Sequence, residues 1–347
     1  MQDYIIVGSG LSGVTLAHFL RRKGYTFTLI SDYSQQSSIV AGGIMNPIVL
    51  KKFTLAWQGN LQLKKATAFY RTVEKELAID ILKFYSIYRR FNSIKEQNDW
   101  FAALDKPYLS DFLGENLVSN IPNIQSNYSF GKMEGAGILD TNLYLKESIN
   151  LLQKENAFQE EKFNYKNLLI NADHVSYKNT SARKIIFAEG FGVMQNPYFN
   201  YLPIQGNKGE YIIIESSELK LESLLKSSVF IIPLGNDLYK VGASYERNFS
   251  DAKPTSEKRD YLKNKLDDVM SCDYKIIDQQ AGIRPTVRDR RTIVGQHPKY
   301  KNLFISNGFG SRGILMAPTV SEQLIDFIEN DKTLPPEIDC NRFNHLY

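Results

Sequence analysis

The run Gly8-Ser9-Gly10-Leu11-Ser12-Gly13, set directly after the apolar stretch Tyr4-Ile5-Ile6-Val7, limits the fold of this chain more than any other segment. Val14, Leu16, Ala17, Phe19 and Leu20 follow at helical spacing, Gly24 stops that helix, and Phe27-Thr28-Leu29-Ile30 resumes an apolar run. The order is strand, tight turn, helix, strand: a βαβ unit of about 30 residues. Gly8 permits the turn, Gly10 lets the backbone approach a pyrophosphate, and Gly13 lets helix and strand pack closely. The helix start adds free N–H groups and a partial positive charge. Dinucleotide binding is expected, against the plainer reading of a glycine-rich turn. The ribose-binding acid expected about 20 residues on falls on Ser31, with Asp32 next. Asp32 either reaches the ribose or is a solvated turn residue before Tyr33-Ser34.

At 347 residues the chain exceeds the usual single core, so a second core or a large insertion is expected. A content of 43% hydrophobic and 23% charged residues excludes disordered, collagen-like and coiled-coil classes. Cys272 and Cys340 stand far apart with no His or Cys at ligand spacing, so neither a disulfide framework nor a metal site is expected. A cytoplasmic setting follows as the default, with no secretory signal and no membrane span expected. The net charge of +4 is spread among acids, which permits nucleic-acid binding without indicating it.

Further along, Ser37 to Pro47, containing Ala41, Gly42, Gly43, Ile44 and Met45, has no regular period; it either approaches a flat ligand or is a plain loop. Helical spacing predicts a long helix from about Leu61 to Phe84, then a strand over Ile87 to Ile94 and a short helix over Gln97 to Leu104. Asp140 or Thr141 is expected to cap another helix. Lys184 to Phe187, followed by Ala188-Glu189-Gly190, reads as a third buried strand of the first domain. Gly209 to Ile214, Ser228 to Pro233 and Leu238 to Ser244 read as strands of an antiparallel sheet. A strand at Leu303 to Ile305 leads into Gly308-Phe309-Gly310-Ser311-Arg312-Gly313-Ile314, a second glycine turn, with a helix expected from about Ala317-Pro318.

These blocks, with Gly137-x-Leu139-Asp140 and Gly282-x-Arg284-Pro285 followed by Asp289, resemble in order and spacing the D-amino-acid oxidase (DAO) superfamily of FAD-dependent oxidoreductases, which includes glycine and sarcosine oxidases. Within it, Gly242 to Tyr245, Thr286-x-Arg288-Asp289 and Gly310 to Gly313 are most similar to the oxidase half of the bifunctional tRNA-modifying enzyme MnmC. The resemblance implies an α/β protein with a Rossmann-like FAD-binding domain (1–84, 134–204 and 281–347) and an inserted α+β substrate domain on an antiparallel sheet (85–133 and 205–280). It implies non-covalent FAD, with the pyrophosphate on Gly8 to Gly13. The isoalloxazine would lie between Gly42 to Met45 and Gly308 to Ile314, with no cysteine near Arg284 to attach it.

The implied reaction is oxidation of an amine to an imine by hydride transfer to flavin N5. Arg284 is expected to pair with a carboxylate of a small-molecule amine, an amino acid or N-substituted glycine. Arg312 faces flavin or substrate. Lys208 either leads into the substrate sheet or is exposed, and His297 reads as a loop residue. Three alternatives remain: removal of a carboxymethyl group from a modified tRNA uridine, a nicotinamide-dependent dehydrogenase, and a non-catalytic flavoprotein subunit. The tRNA role would demand a basic rim around the pocket, and 347 residues are expected to leave no room for the companion methyltransferase.

Overall fold

The computed structural model describes residues 1–347. The opening βαβ unit forms as its pattern predicts, with strands at Gln2–Val7 and Phe27–Ser31 and a helix at Leu11–Arg22. Gln2–Val7 pairs in parallel with Phe27–Ser31 on one side and Thr180–Phe187 on the other. Leu303–Asn307 and Phe158–Glu160 extend the parallel order outward, and antiparallel strands complete an eight-stranded sheet. Tyr4, Ile5, Ile6, Ile185, Ile186, Phe187 and Leu303 are fully buried, as strands covered on both faces must be.

A second, nine-stranded sheet is antiparallel except where Leu224–Lys226 runs parallel to Leu82–Arg90. Its order runs Lys275–Val287, Ile204–Glu215, Leu238–Gly242, Phe230–Gly235, Leu224–Lys226, Leu82–Arg90, Phe130–Leu139 and Ile44–Met45. Positions 84, 133 and 280 fall inside three of these strands, each of which lies wholly in this second sheet. The molecule is thus mixed α/β, built on two separate sheets.

Three helices differ from their expected bounds, the short one starting early at Ile94 behind the Ser93 cap and running to Leu104. The long helix is Gly59–Leu77, not a run to Phe84. Ala78 takes a left-handed conformation, and the buried Glu74 carboxylate accepts the N–H groups of Ile81 and Leu82 at 2.9 and 2.8 Å. These bonds turn the chain into the strand Leu82–Arg90, whose span also corrects the strand expected over Ile87 to Ile94. The last long helix begins at Gly313, not near Pro318, which lies within Gly313–Asn330. Proline lacks the N–H that would bond to the carbonyl four residues back, that of Ile314. The fully buried Tyr70 hydroxyl, from the other long helix, donates to that carbonyl at 2.9 Å. Tyr70→Phe therefore leaves a buried carbonyl unpaired, and urea denaturation is expected to show a loss of about 1–3 kcal/mol. The loss should shrink in a Pro318→Ala background, where the helix supplies its own donor.

Candidate active site

A cavity of about 550 Å³ lies between the two sheets, and the glycine turns of both sequence blocks line it. Gly8, Gly10, Leu11 and Ser12 form one wall where the first helix begins. A Cβ on Gly13 would sit 1.8 Å from the Gly8 carbonyl oxygen, so Gly13 acts beneath the turn and does not line the cavity. Gly10 gives that helix no side-chain cap, and its first turn holds no acidic residue. The helix Gly313–Asn330 likewise starts without a side-chain cap or a first-turn acid. Both positive helix ends thus meet the cavity, an arrangement suited to phosphate or to an anionic ring.

Ser31 and Asp32 line the far end of the same wall. The Ser31 hydroxyl accepts a bond from Ser9 at 2.8 Å, and the exposed Asp32 carboxylate accepts the Ser34 N–H at 3.0 Å, so Asp32 shapes its turn and faces the cavity at once. Ala188 and Gly190 end the third parallel strand here. Between them lies Glu189, which the sequence reading did not single out as a site residue. Its carboxylate is buried and accepts bonds from the Tyr165 hydroxyl and from Asn196 Nδ2 at 2.7 Å. Burial outweighs both bonds and pushes its pKa up to about 7.

Ala41, Gly42, Gly43 and Ile44 line the opposite wall, whereas Met45 is fully buried behind it. Lys240, from the second sheet, holds this segment by donating to the Ala41 carbonyl at 3.2 Å, and burial lowers its pKa to about 8. Phe309, Gly310, Ser311, Gly313 and Ile314 close the cavity from the second glycine block, while Gly308 lies against Val287 and Ile293 outside it.

Arg284 and Arg312 both reach the cavity. Arg312 donates to the Asn46 carbonyl at 2.9 Å; burial first, then Arg290, pushes its pKa below the usual guanidinium value. Arg284 lies 5.2 Å from the centre of the Tyr245 ring and is packed so closely on Gly209 that a Cβ there would come within 1.9 Å of Nη1. Its Nη1 is buried and has no hydrogen-bond partner. Lys208 is buried and paired with Glu210 at 3.4 Å, which decides against its exposed reading and keeps it from the cavity wall.

The charges of the cavity are segregated. Its carboxylates, Asp32, Glu161 and Glu189, gather with Lys162 at one end. Arg284, Arg312, Lys226 and Lys51 line its other walls, none of them in an ion pair. Unpaired cations on these walls favour an anionic ligand. Lys51, Lys226, Tyr211 and Phe230 were not foreseen as site residues, because strand register brings Tyr211, Phe230 and Lys226 to this wall and the turn after Ile48–Val49 brings Lys51.

The chain matches the family of FAD dependent oxidoreductases (DAO) over residues 3–327. It belongs to that family. FAD is accordingly the cofactor and the protein an enzyme, so the nicotinamide-dependent and non-catalytic readings are set aside. The tRNA 5-methylaminomethyl-2-thiouridine biosynthesis bifunctional protein MnmC of Legionella pneumophila is 25% identical over 96% of this chain, which spans 55% of that protein's length. Among solved structures, glycine oxidase from Bacillus cereus gives a TM-score of 0.80 at 17% identity, covering 96% of both chains. L-proline dehydrogenase from P. horikoshii gives 0.81 at 17%, covering 99% of this chain and 98% of that one. These likenesses establish the shared DAO-type fold. No helix is long and apolar enough to cross a membrane.

The raised pKa of Glu189 makes stability depend on pH. Its folded value of about 7 lies above its ordinary 4.5, so its contribution is fully present below about pH 4.5 and is lost as pH rises through 7. Glu189→Gln keeps a neutral side chain at every pH. Urea denaturation at pH 5 and pH 8 is expected to show the wild type losing roughly 3 kcal/mol relative to that variant.

Proposed function

We propose that this oxidoreductase oxidises the C–N bond of a carboxylate-bearing amine, an amino acid or an N-substituted glycine, to an imine that water then hydrolyses. The observation that carries the reading is the unpartnered Nη1 of Arg284, a buried cationic donor on the cavity wall with no protein acceptor. A guanidinium so placed accommodates a carboxylate in the two-pronged manner and stays charged at any working pH. Tyr245 and Gly209 fix its plane, which orients the carbon next to nitrogen.

In this reading the turn at Gly8, Gly10, Leu11 and Ser12, with Gly13 beneath it, holds the FAD pyrophosphate non-covalently. Ser31, Asp32, Ala188 and Gly190 surround the adenosine. The flavin ring takes the space between Ala41 to Ile44, backed by Met45, and Phe309 to Ile314, backed by Gly308. When bound, FAD supplies the acceptor for the hydride leaving the substrate carbon. The chain's own part is electrostatic: Arg312 and the uncapped start of Gly313–Asn330 place positive potential where charge gathers during the reaction. No histidine lines the cavity, and its carboxylates sit at the ends of the parallel strands away from Arg284, which suits an amine that binds neutral.

Anaerobic bleaching of the flavin by sarcosine, glycine and other amino acids tests the reaction class. Arg284→Ala is expected to raise KM for the carboxylate-bearing amine about 100-fold, since a buried charge-assisted pair is lost. An unchanged KM rejects the carboxylate role.

A second reading is favoured by the unpaired cations around the cavity. Lys51, on the cavity wall, and Arg290, beside Arg312, are exposed and free of ion pairs, and Tyr245 is 70% exposed beside Arg284. An N-carboxymethyl amine carried on a modified tRNA uridine would present the same group to Arg284 while its phosphates meet this rim. Binding to tRNA should then weaken steeply from 50 to 200 mM salt, by about 0.9 in log K per log salt for each phosphate neutralised. A flat titration discards this reading.

A further inference from the structure

The wall of the cavity formed by the second sheet can be followed residue by residue. Tyr211 lies opposite Gly242, Gly242 opposite Phe230, and Phe230 opposite Lys226, so these four occupy one row and one face. Arg284 stands on the same face at the edge strand Lys275–Val287, four residues beyond Gln280, the partner of Tyr211. Four strand spacings, roughly 19 Å of backbone, therefore separate the strands that carry Arg284 and Lys226. Two aromatic side chains, Tyr211 and Phe230, lie between them on the cavity wall.

Lys226 is half-buried and lies 4.7 Å from the centre of the Phe230 ring. Its ammonium donates a long bond of 3.4 Å to the Ser228 carbonyl and pairs with no carboxylate. Glu96, the nearest acid to act on it, is engaged by Arg89. Lys51 lines the same end and adds a second positive charge close enough to Lys226 to repel it. Burial, Arg89 and Lys51 together push the Lys226 pKa down to about 8. Lysines ordinarily extend their ammonium groups into water or pair them. Two like charges held at the end of a cavity with no acid between them lack one component, an anion.

We propose that Lys226 and Lys51 form a second anion subsite, so that the amine carries a carboxylate or phosphate at the far end of its N-substituent. This rests on the reading that Arg284 takes the carboxylate next to the oxidised carbon. The substrate class is then a doubly anionic, extended amine, with a flat or apolar segment passing over Tyr211 and Phe230. Small monoanionic amines fill only the Arg284 end.

The test uses the FAD-loaded enzyme and non-oxidisable probes, with Kd read from perturbation of the flavin spectrum, so it does not depend on turnover. The probes are straight-chain dicarboxylates of four to ten carbons, the ω-phosphonocarboxylates of the same lengths, and the matching monocarboxylates. At least one doubly charged probe is expected to bind about tenfold more tightly than its monocarboxylate. That ratio should fall to near one in Lys226→Gln and persist in Lys226→Arg. Lys51→Gln, at an exposed position, is expected to reduce it about threefold. Preference for phosphonate over carboxylate tips identifies phosphate as the natural group, and the reverse identifies a carboxylate. No advantage of any doubly charged probe in the wild type, or an advantage that survives Lys226→Gln, overturns the subsite. Monocarboxylate binding that is indifferent to Arg284→Ala instead overturns the parent reading, so the two failures are distinguishable.

Discussion

The backbone of Gly13 rests on the carbonyl of Gly8 so closely that any side chain would have to occupy the space of the oxygen. That approach seats the helix Leu11–Arg22 on the parallel sheet and turns its N-terminus, which has no acidic residue in its first turn, toward the cavity. The other walls are arranged around that start. Ser12 reaches across to the Ser306 hydroxyl at 2.8 Å, tying the first glycine turn to the strand that leads into the second. Tyr70 then closes the gap that Pro318 leaves in the second helix. Two helix starts are thereby fixed relative to one another by bonds between distant parts of the chain.

The electrostatic pattern follows from the same geometry. The parallel sheet contributes the acidic end, where strand ends bring Asp32, Glu161 and Glu189 together. The antiparallel sheet contributes Arg284 and Lys226, and the segments joining the layers add Lys51 and Arg312. Buried cations elsewhere can pair with carboxylates, as Lys208 does with Glu210 and Arg89 with Glu96. In the cavity, Arg284 Nη1 is buried with no acceptor and Arg312 and Lys226 find only backbone carbonyls, a situation that stable folds avoid unless a ligand completes it.

Much of this organisation was legible in the chain. The βαβ start, the third parallel strand, the antiparallel strands and the Asp140 cap, which accepts the Leu143 N–H at 2.9 Å, all form from local patterns of apolar residues and caps. Errors came where a distant partner overruled local period. The long helix stops at Leu77 because the Glu74 carboxylate captures N–H groups of the next strand, although apolar spacing continues beyond it. The last helix starts ahead of Pro318 because Tyr70 replaces the donor that proline lacks. Of the site residues named from the sequence, Gly13, Met45 and Gly308 stand behind the cavity wall, supporting it without lining it.

The sequence by itself determined the family, the cofactor class and the glycine turns, because these depend on residues adjacent in the chain and on spacings that survive without knowledge of the fold. Tertiary structure alone decided which polar groups meet in the cavity. Tyr211, Phe230 and Lys226 share a face only through the register of three pairings, and Glu189 is driven toward neutrality only by what covers it. Register and burial are properties of pairs of strands and layers, so no single segment of the chain carries them.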